Sequence, residues 1–166
     1  MSQNITYYMK SRVRLSGYCV AVTCIITGVL AGLLVFTFDN KPAFYSIIAT
    51  LALIYITSAI YAPLSIKVDA GRVTVRSLLK SHSIPLDQVR SVELFQPTMG
   101  ATRLLGSGGF LGYWGLYREG DIGRYKAWYG RASDCFLLRM RDGGQYVLGC
   151  DFGSETADCI RQQLRH

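Results

Sequence analysis

The sequence predicts an α+β membrane protein. A two-helix transmembrane hairpin comes first, followed by a mainly-β bent sheet or barrel closed by a C-terminal α-helix. Three observations carry this. Two uncharged apolar runs, Leu15–Phe38 and Ala43–Ala62, stand almost back to back. Apolar residues then alternate with period two between turn signals as far as Gly149. Last, Ala157, Ile160 and Leu164 repeat at helical spacing. The composition agrees. Of 166 residues, 50% are hydrophobic and 17% charged, which excludes a disordered chain. The mean hydropathy is +0.22, and the excess apolarity sits in the first 62 residues. Five cysteines are too few for a disulfide scaffold.

Residues 1–14 form an N-terminal segment carrying Lys10, Arg12 and Arg14. The hairpin spans residues 15–62. Its first run, 15–38, is 24 residues long. As a helix that is about 36 Å, enough for a hydrocarbon core of about 30 Å with some tilt. It exceeds the apolar stretch of a signal peptide, and a second span follows at once, so it is read as an uncleaved helix. The second run, 43–62, has 20 residues, and only Asp39-Asn40-Lys41-Pro42 separates the two. So short a link requires antiparallel helices, with Pro42 suited to a first turn. Lys10, Arg12 and Arg14 precede the first span, and Lys67, Arg72, Arg76 and Lys80 follow the second, whereas the link holds only Lys41. The positive-inside rule therefore puts both termini in the cytoplasm of a two-pass protein of the plasma (inner) membrane. Neither span holds an ionisable Asp, Glu, Lys, Arg or His, which argues against a pump or transporter. Gly28 and Gly32 form a GxxxG pattern, open to packing within the hairpin, to dimerisation, or to no role at all.

Residues 63–166 make one small domain of net charge +4, starting at Pro63 with no linker. Leu64–Val68 and Val73–Val75 alternate around the turn Asp69-Ala70-Gly71, a β-hairpin. Ser81–Ile84 reads as a third strand, Pro85–Val89 as a turn, and Val89–Phe95 as a further strand. A long irregular segment follows. Cys135–Met140 and Tyr146–Gly149 then form a hairpin around Asp142-Gly143-Gly144, and Ser154 is placed to cap a helix over Glu155–Leu164.

This domain resembles the bacterial pleckstrin-homology-like (PH-like) family, in its members with two N-terminal transmembrane helices. The resemblance rests on the Ile66–Val75 hairpin and on Ser83-Ile84-Pro85-Leu86-Asp87-Gln88-Val89-Arg90-Ser91-Val92. It rests also on Arg103-Leu104-Leu105-Gly106-Ser107-Gly108-Gly109 with Gly112 and Gly115, followed by Ile122-Gly123-Arg124-Tyr125. It implies a seven-stranded bent barrel with a C-terminal helix and no enzyme activity. It further implies ring assembly, as in some members, or lipid binding, as in the eukaryotic namesakes.

Residues 97–131 stand out as a Gly/aromatic insertion, with nine of the 17 glycines and seven aromatic residues in 35 positions. Its net charge is +3. Three uses are open. The aromatics fill the core, Phe110–Tyr117 adds a strand pair, or the segment meets lipid headgroups or another subunit. The binding candidates are Arg103, Tyr113, Trp114, Arg118, Arg124 and Trp128, joined by Lys67, Arg72 and Arg76 of the first hairpin. The expected function is a non-enzymatic interaction module on the cytoplasmic face, assembling with itself or another membrane protein. The alternative is a sensor of anionic lipid headgroups. Membrane lipids are expected partners, and nucleic acid is not.

Catalytic chemistry is not legible. His82 flanked by serines is no triad, and His166 is terminal. Cys135, Cys150 and Cys159 lack CxxC spacing, so no metal is expected, and no cofactor. Gly106–Gly112 lacks the spacing of a phosphate cradle. Asp87, Glu93 and Asp151 form no carboxylate pair.

Overall fold

A computed structural model describes residues 8–98 and 100–165; Met1–Tyr7 of the N-terminal segment, Met99 of the insertion and His166 lie outside the described residues. Strand β1 (Met9–Arg12) precedes two apolar helices, α1 (Gly17–Phe36) and α2 (Lys41–Tyr61). Both are long and apolar enough to cross a membrane, and only 6% of each apolar window is buried within the protein. Ser16 caps α1 by accepting the Cys19 N–H at 3.2 Å, and Asn40 caps α2 by accepting that of Ala43 at 3.4 Å. Pro42 stands in the first turn of α2, where its missing N–H costs nothing.

The strands β2 (Ser65–Asp69), β3 (Arg72–Arg76) and β4 (Ser81–Pro85) join β1 in a four-stranded antiparallel sheet of order β1-β2-β3-β4. Thus β1, ahead of the helices, pairs with β2, behind them, with Met9 opposite Val68 and Arg12 opposite Ser65. No strand is legible in residues 1–14 from the sequence alone. The remaining strands are β5 (Val89–Leu94), β6 (Thr102–Gly109), β7 (Gly112–Glu119), β8 (Gly123–Tyr129), β9 (Cys135–Met140) and β10 (Gln145–Gly149). They form a six-stranded sheet of order β5-β9-β10-β8-β7-β6, antiparallel except between β8 and β10. A 3-10 turn, Leu86–Gln88, carries the chain from one sheet to the other.

Ile66, Val68, Val73 and Val75 of the first sheet share one core with Trp128, Phe136, Leu138 and Leu148 of the second and with Ala157 and Ile160 of helix α3 (Gly153–Leu164). The architecture is therefore a bent, mainly-β domain covered by a C-terminal helix. Among the described residues, ten strands in two separately hydrogen-bonded sheets replace the seven-stranded barrel that the resemblance implied. Segment 97–131 is not irregular: most of it is β6, β7 and β8. Nor does Ser154 cap α3, which begins one residue earlier, at Gly153. Its first turn is instead tied by the Thr156 hydroxyl donating to the Phe152 carbonyl at 2.7 Å.

Candidate interaction surface

The glycines of β6 and β7 make this long hairpin possible. Gly106 and Gly115 face each other across the ladder at φ +112° and +120°. A Cβ on either would overlap a carbonyl of the opposite strand, that of Trp114 or Leu105. Only glycine permits both the backbone conformation and the approach. Around this pair the aromatics form cross-strand stacks, Tyr113 on Tyr129 at 4.8 Å and Tyr117 on Tyr125 at 5.9 Å.

Alternation along β7 separates two faces. Tyr113, Tyr117 and Glu119 lie on the face that Tyr125, Tyr129, Leu137 and Val147 also cover. The Glu119 carboxylate is 5% exposed and accepts from the Thr98 hydroxyl and backbone N–H at 2.5 and 3.0 Å and from the Tyr125 hydroxyl at 3.3 Å. These bonds tie the incoming chain to β7. Burial pushes the Tyr117 hydroxyl up to about 12 and raises those of Tyr125 and Tyr129 further. Trp114, Leu116 and Arg118 lie on the other face, where Trp114 packs against the core shared with the first sheet and Arg118 is exposed.

The candidate residues are thereby dispersed. Trp128 is 7% exposed in the shared core, 4.9 Å from the His82 ring. Trp114 stacks on Tyr61 of α2 at 5.7 Å, and Tyr113 is engaged by Tyr129. So the three aromatic candidates are internal packing. Arg118 and Arg124 are exposed and directly opposite each other on β7 and β8. Arg103 is exposed on β6, where its guanidinium lies over Gly108. Lys67 is paired with Asp69 at 2.9 Å. Arg72 borders the turn at Gly71, whose N–H meets Gln163 of α3, while Arg76 ends β3 beside Leu64 and the close of α2.

The domain and the apolar helices are stitched together at several points. At the β6–β7 turn, Leu111 has φ +51° and its N–H donates to Thr23 Oγ1 of α1 at 3.0 Å. Phe110 meets Tyr55 of α2 edge-to-face at 5.5 Å. The Gly130 carbonyl accepts the Ser16 N–H at 2.9 Å, and Asp151 holds Arg14 at 3.1 Å. Thr23 is about 9 Å along α1 from Gly17, so the turn reaches well past the helix start.

Sequence reasoning missed two exposed apolar features. One is the run Thr102–Gly106 of β6, an edge strand exposed at every position, with Leu105 73% exposed. The other is Leu78-Leu79 between β3 and β4, 71% and 67% exposed. A pair of leucines between two alternating strands, where a turn is needed, was a legible signal.

Most of the cysteine, histidine and carboxylate groups singled out in the sequence have structural partners. Cys135 and Cys150 are free and buried, and burial raises both thiols, which favours the unreactive form. His82 is lowered by burial and by Lys126 and Lys80. Asp151 is engaged by Arg14, and Glu93 by Arg139 at 3.4 Å. Among the described residues no three His, Cys, Asp or Glu side chains come together as metal ligands. A groove of about 460 Å³ lies between Arg90, Glu93, Arg139 and the Gly143-Gly144 turn, at the end of β9 and β10.

No curated protein and no solved structure matches the chain significantly. A family model does, that of the bacterial PH domain, over residues 64–154. Those residues run from the start of β2 to the first turn of α3, so they take in both sheets except β1. PH-like domains are protein- or lipid-interaction modules, generally without catalysis. On the strength of that match and of the bent, mainly-β architecture under a C-terminal helix, the chain belongs to the bacterial PH domain family.

Proposed function

We propose that this is a two-pass membrane protein of the plasma (inner) membrane. Its PH domain, held at the cytoplasmic face, is a non-enzymatic docking module that assembles with other copies of itself. Three features support the membrane reading. A soluble core helix is mostly buried, whereas only 6% of the apolar window of α1 and of α2 is. The β1–β2 pairing ties the segments before α1 and after α2 into one sheet, as a hairpin with both flanks on one side requires. The lysines and arginines of those flanks give that side its sign.

The observation that carries the docking role is the free edge of β6. Five successive residues, Thr102–Gly106, are exposed on a strand whose outer edge pairs with no other strand among the described residues, and Leu104 and Leu105 are 45% and 73% exposed. Such an edge invites another strand unless charge or proline blunts it, and here Arg103 alone does so. The exposed Arg118 lies about 20 Å along β7 from the turn that meets the helices and is open to a protein partner. A Cβ on Gly28 or Gly32 would meet no atom of the described residues within 4 Å, which leaves room on the GxxxG face for a second copy as well. The anionic-lipid alternative draws less support from these residues, because Lys67 is paired and Arg72 borders the Gly71 turn rather than the helices.

The test is the mass of the full chain in mild detergent, by light scattering, for the native protein and for Leu105→Asp. A native oligomer that this exposed substitution reduces to monomer is the expected result. A monomeric native protein, or an oligomer indifferent to the change, rules out self-assembly through β6. In the first of those cases the search turns to another membrane protein as partner.

A further inference from the structure

We infer that the Leu78-Leu79 turn between β3 and β4 is a bilayer-inserted wedge, a second membrane contact beside the helices. The inference rests on the reading of α2 as a membrane span, and its first support is chemical. The Ala59 carbonyl in the last turn of α2 would ordinarily accept the N–H four residues on, but that residue is Pro63, which has none. The Leu79 N–H takes its place at 2.9 Å. The turn is thus fixed to the end of the helix, at the level where α2 leaves the hydrocarbon.

The second support is composition. Arg76 pairs with Ser81, and the Ser77 N–H donates to the Lys80 carbonyl at 2.8 Å, which leaves Leu78 and Leu79 as the hairpin tip. Tight turns in water favour Gly, Asn, Asp and Pro, for conformational and hydrogen-bonding reasons. Two leucines, 71% and 67% exposed, have no such use, and neither belongs to the core. Leu64 and Tyr61, at 51% and 44%, continue the exposed apolar surface around the end of α2.

The third support is charge. Lys80 lies over the Tyr61 ring at 6.0 Å, Arg76 is exposed across the turn, and no Asp or Glu occurs between Ala70 and Leu86. An apolar tip ringed by cations and an interfacial tyrosine matches the boundary between acyl chains and anionic headgroups.

The test uses the full chain in phosphatidylcholine–phosphatidylglycerol vesicles, with Cys24→Ala and Cys159→Ala removing the thiols that are not buried. An environment-sensitive fluorophore is attached in turn through Leu78→Cys, Ile48→Cys within α2, and Thr102→Cys at the far end of β6. Lipids carrying a nitroxide on the acyl chain serve as quencher. The expected result is quenching at 78 and 48 and none at 102. Quenching at 48 with position 78 behaving like 102 overturns the wedge while leaving the span intact. No quenching at 48 overturns the span, and the wedge with it.

Discussion

The four-stranded sheet and the β6–β8 half of the six-stranded sheet are both antiparallel, yet their sequences share almost nothing. In β2 and β3 the pattern is Ile66, Val68, Val73 and Val75 facing the core with polar residues between them. In β6–β8 both faces of the strands carry aromatics, and the glycines that punctuate them look like breakers. The difference is one of solvation. A sheet wet on one side needs a period of two. The β7–β8 ladder is covered on both sides at its Tyr113–Trp114 end, by Trp114 and Trp128 on one face and by the tyrosine stacks on the other, while Arg118 and Arg124 mark where the first face meets water. Its residues therefore answer to cross-strand fit rather than to alternation.

The largest expected effect breaks the comparison at its sharpest point. Gly115→Val places a β-branched residue at φ +120° against the Leu105 carbonyl. It should cost about 4 kcal/mol from backbone strain and overpacking together. Thr74→Val, the matching insertion of a valine in mid-β3, should change stability by less than about 0.5 kcal/mol. Denaturant unfolding of both variants measures the contrast, and a Gly115→Val protein of native stability would mean that the glycine pair does not govern the β6–β7 ladder.

A smaller effect tests the covered face. Glu119→Met, close in size, removes both acceptor oxygens and leaves the Thr98 N–H and hydroxyl and the Tyr125 hydroxyl without the carboxylate they now donate to. A loss of about 2 kcal/mol is expected, together with faster hydrogen exchange at the Thr98 amide. Unchanged exchange there would show that the carboxylate does not anchor the strand entry.

The smallest effect sits where the two regions meet, at the His82–Trp128 contact. His82 is held below its usual 6.5 by burial and by Lys126 and Lys80. The unfolded chain therefore takes up the proton first. The stability is fully present above about pH 6.5, falls as pH drops below it, and levels off beneath the folded value. His82→Gln should flatten that dependence. Thermal unfolding from pH 8 down to pH 5 reads the slope, and an unaltered slope in the variant would assign it to other groups.

Several elements were plain in the chain itself. The two apolar helices follow from uninterrupted runs of side chains that water would reject. Strands β2–β5, β9 and β10 follow from alternation and from turns such as Asp142-Gly143-Gly144. The amphipathic α3 follows from Ala157, Ile160 and Leu164, and the family resemblance rested on residues inside the matched 64–154. Of the candidate site, Arg103, Arg118 and Arg124 lie exposed, whereas Trp114, Trp128 and Tyr113 were not separable from the core by residue type. An aromatic ring suits an interface and an interior equally, and only its neighbours decide.

What the sequence determined by itself was local: the apolar runs, the turns, and the charge that flanks them. What tertiary structure alone decided was long-range. It brought Met9–Arg12 across the whole helical hairpin to β2, and seated the Leu111 turn on Thr23. It set Gly106 against Gly115, and handed the Ala59 carbonyl, orphaned by Pro63, to Leu79. Each of these joins backbone groups or small residues far apart in the chain. A hydrogen bond or a close approach leaves no periodicity behind, so such contacts stay invisible until the partner is in place.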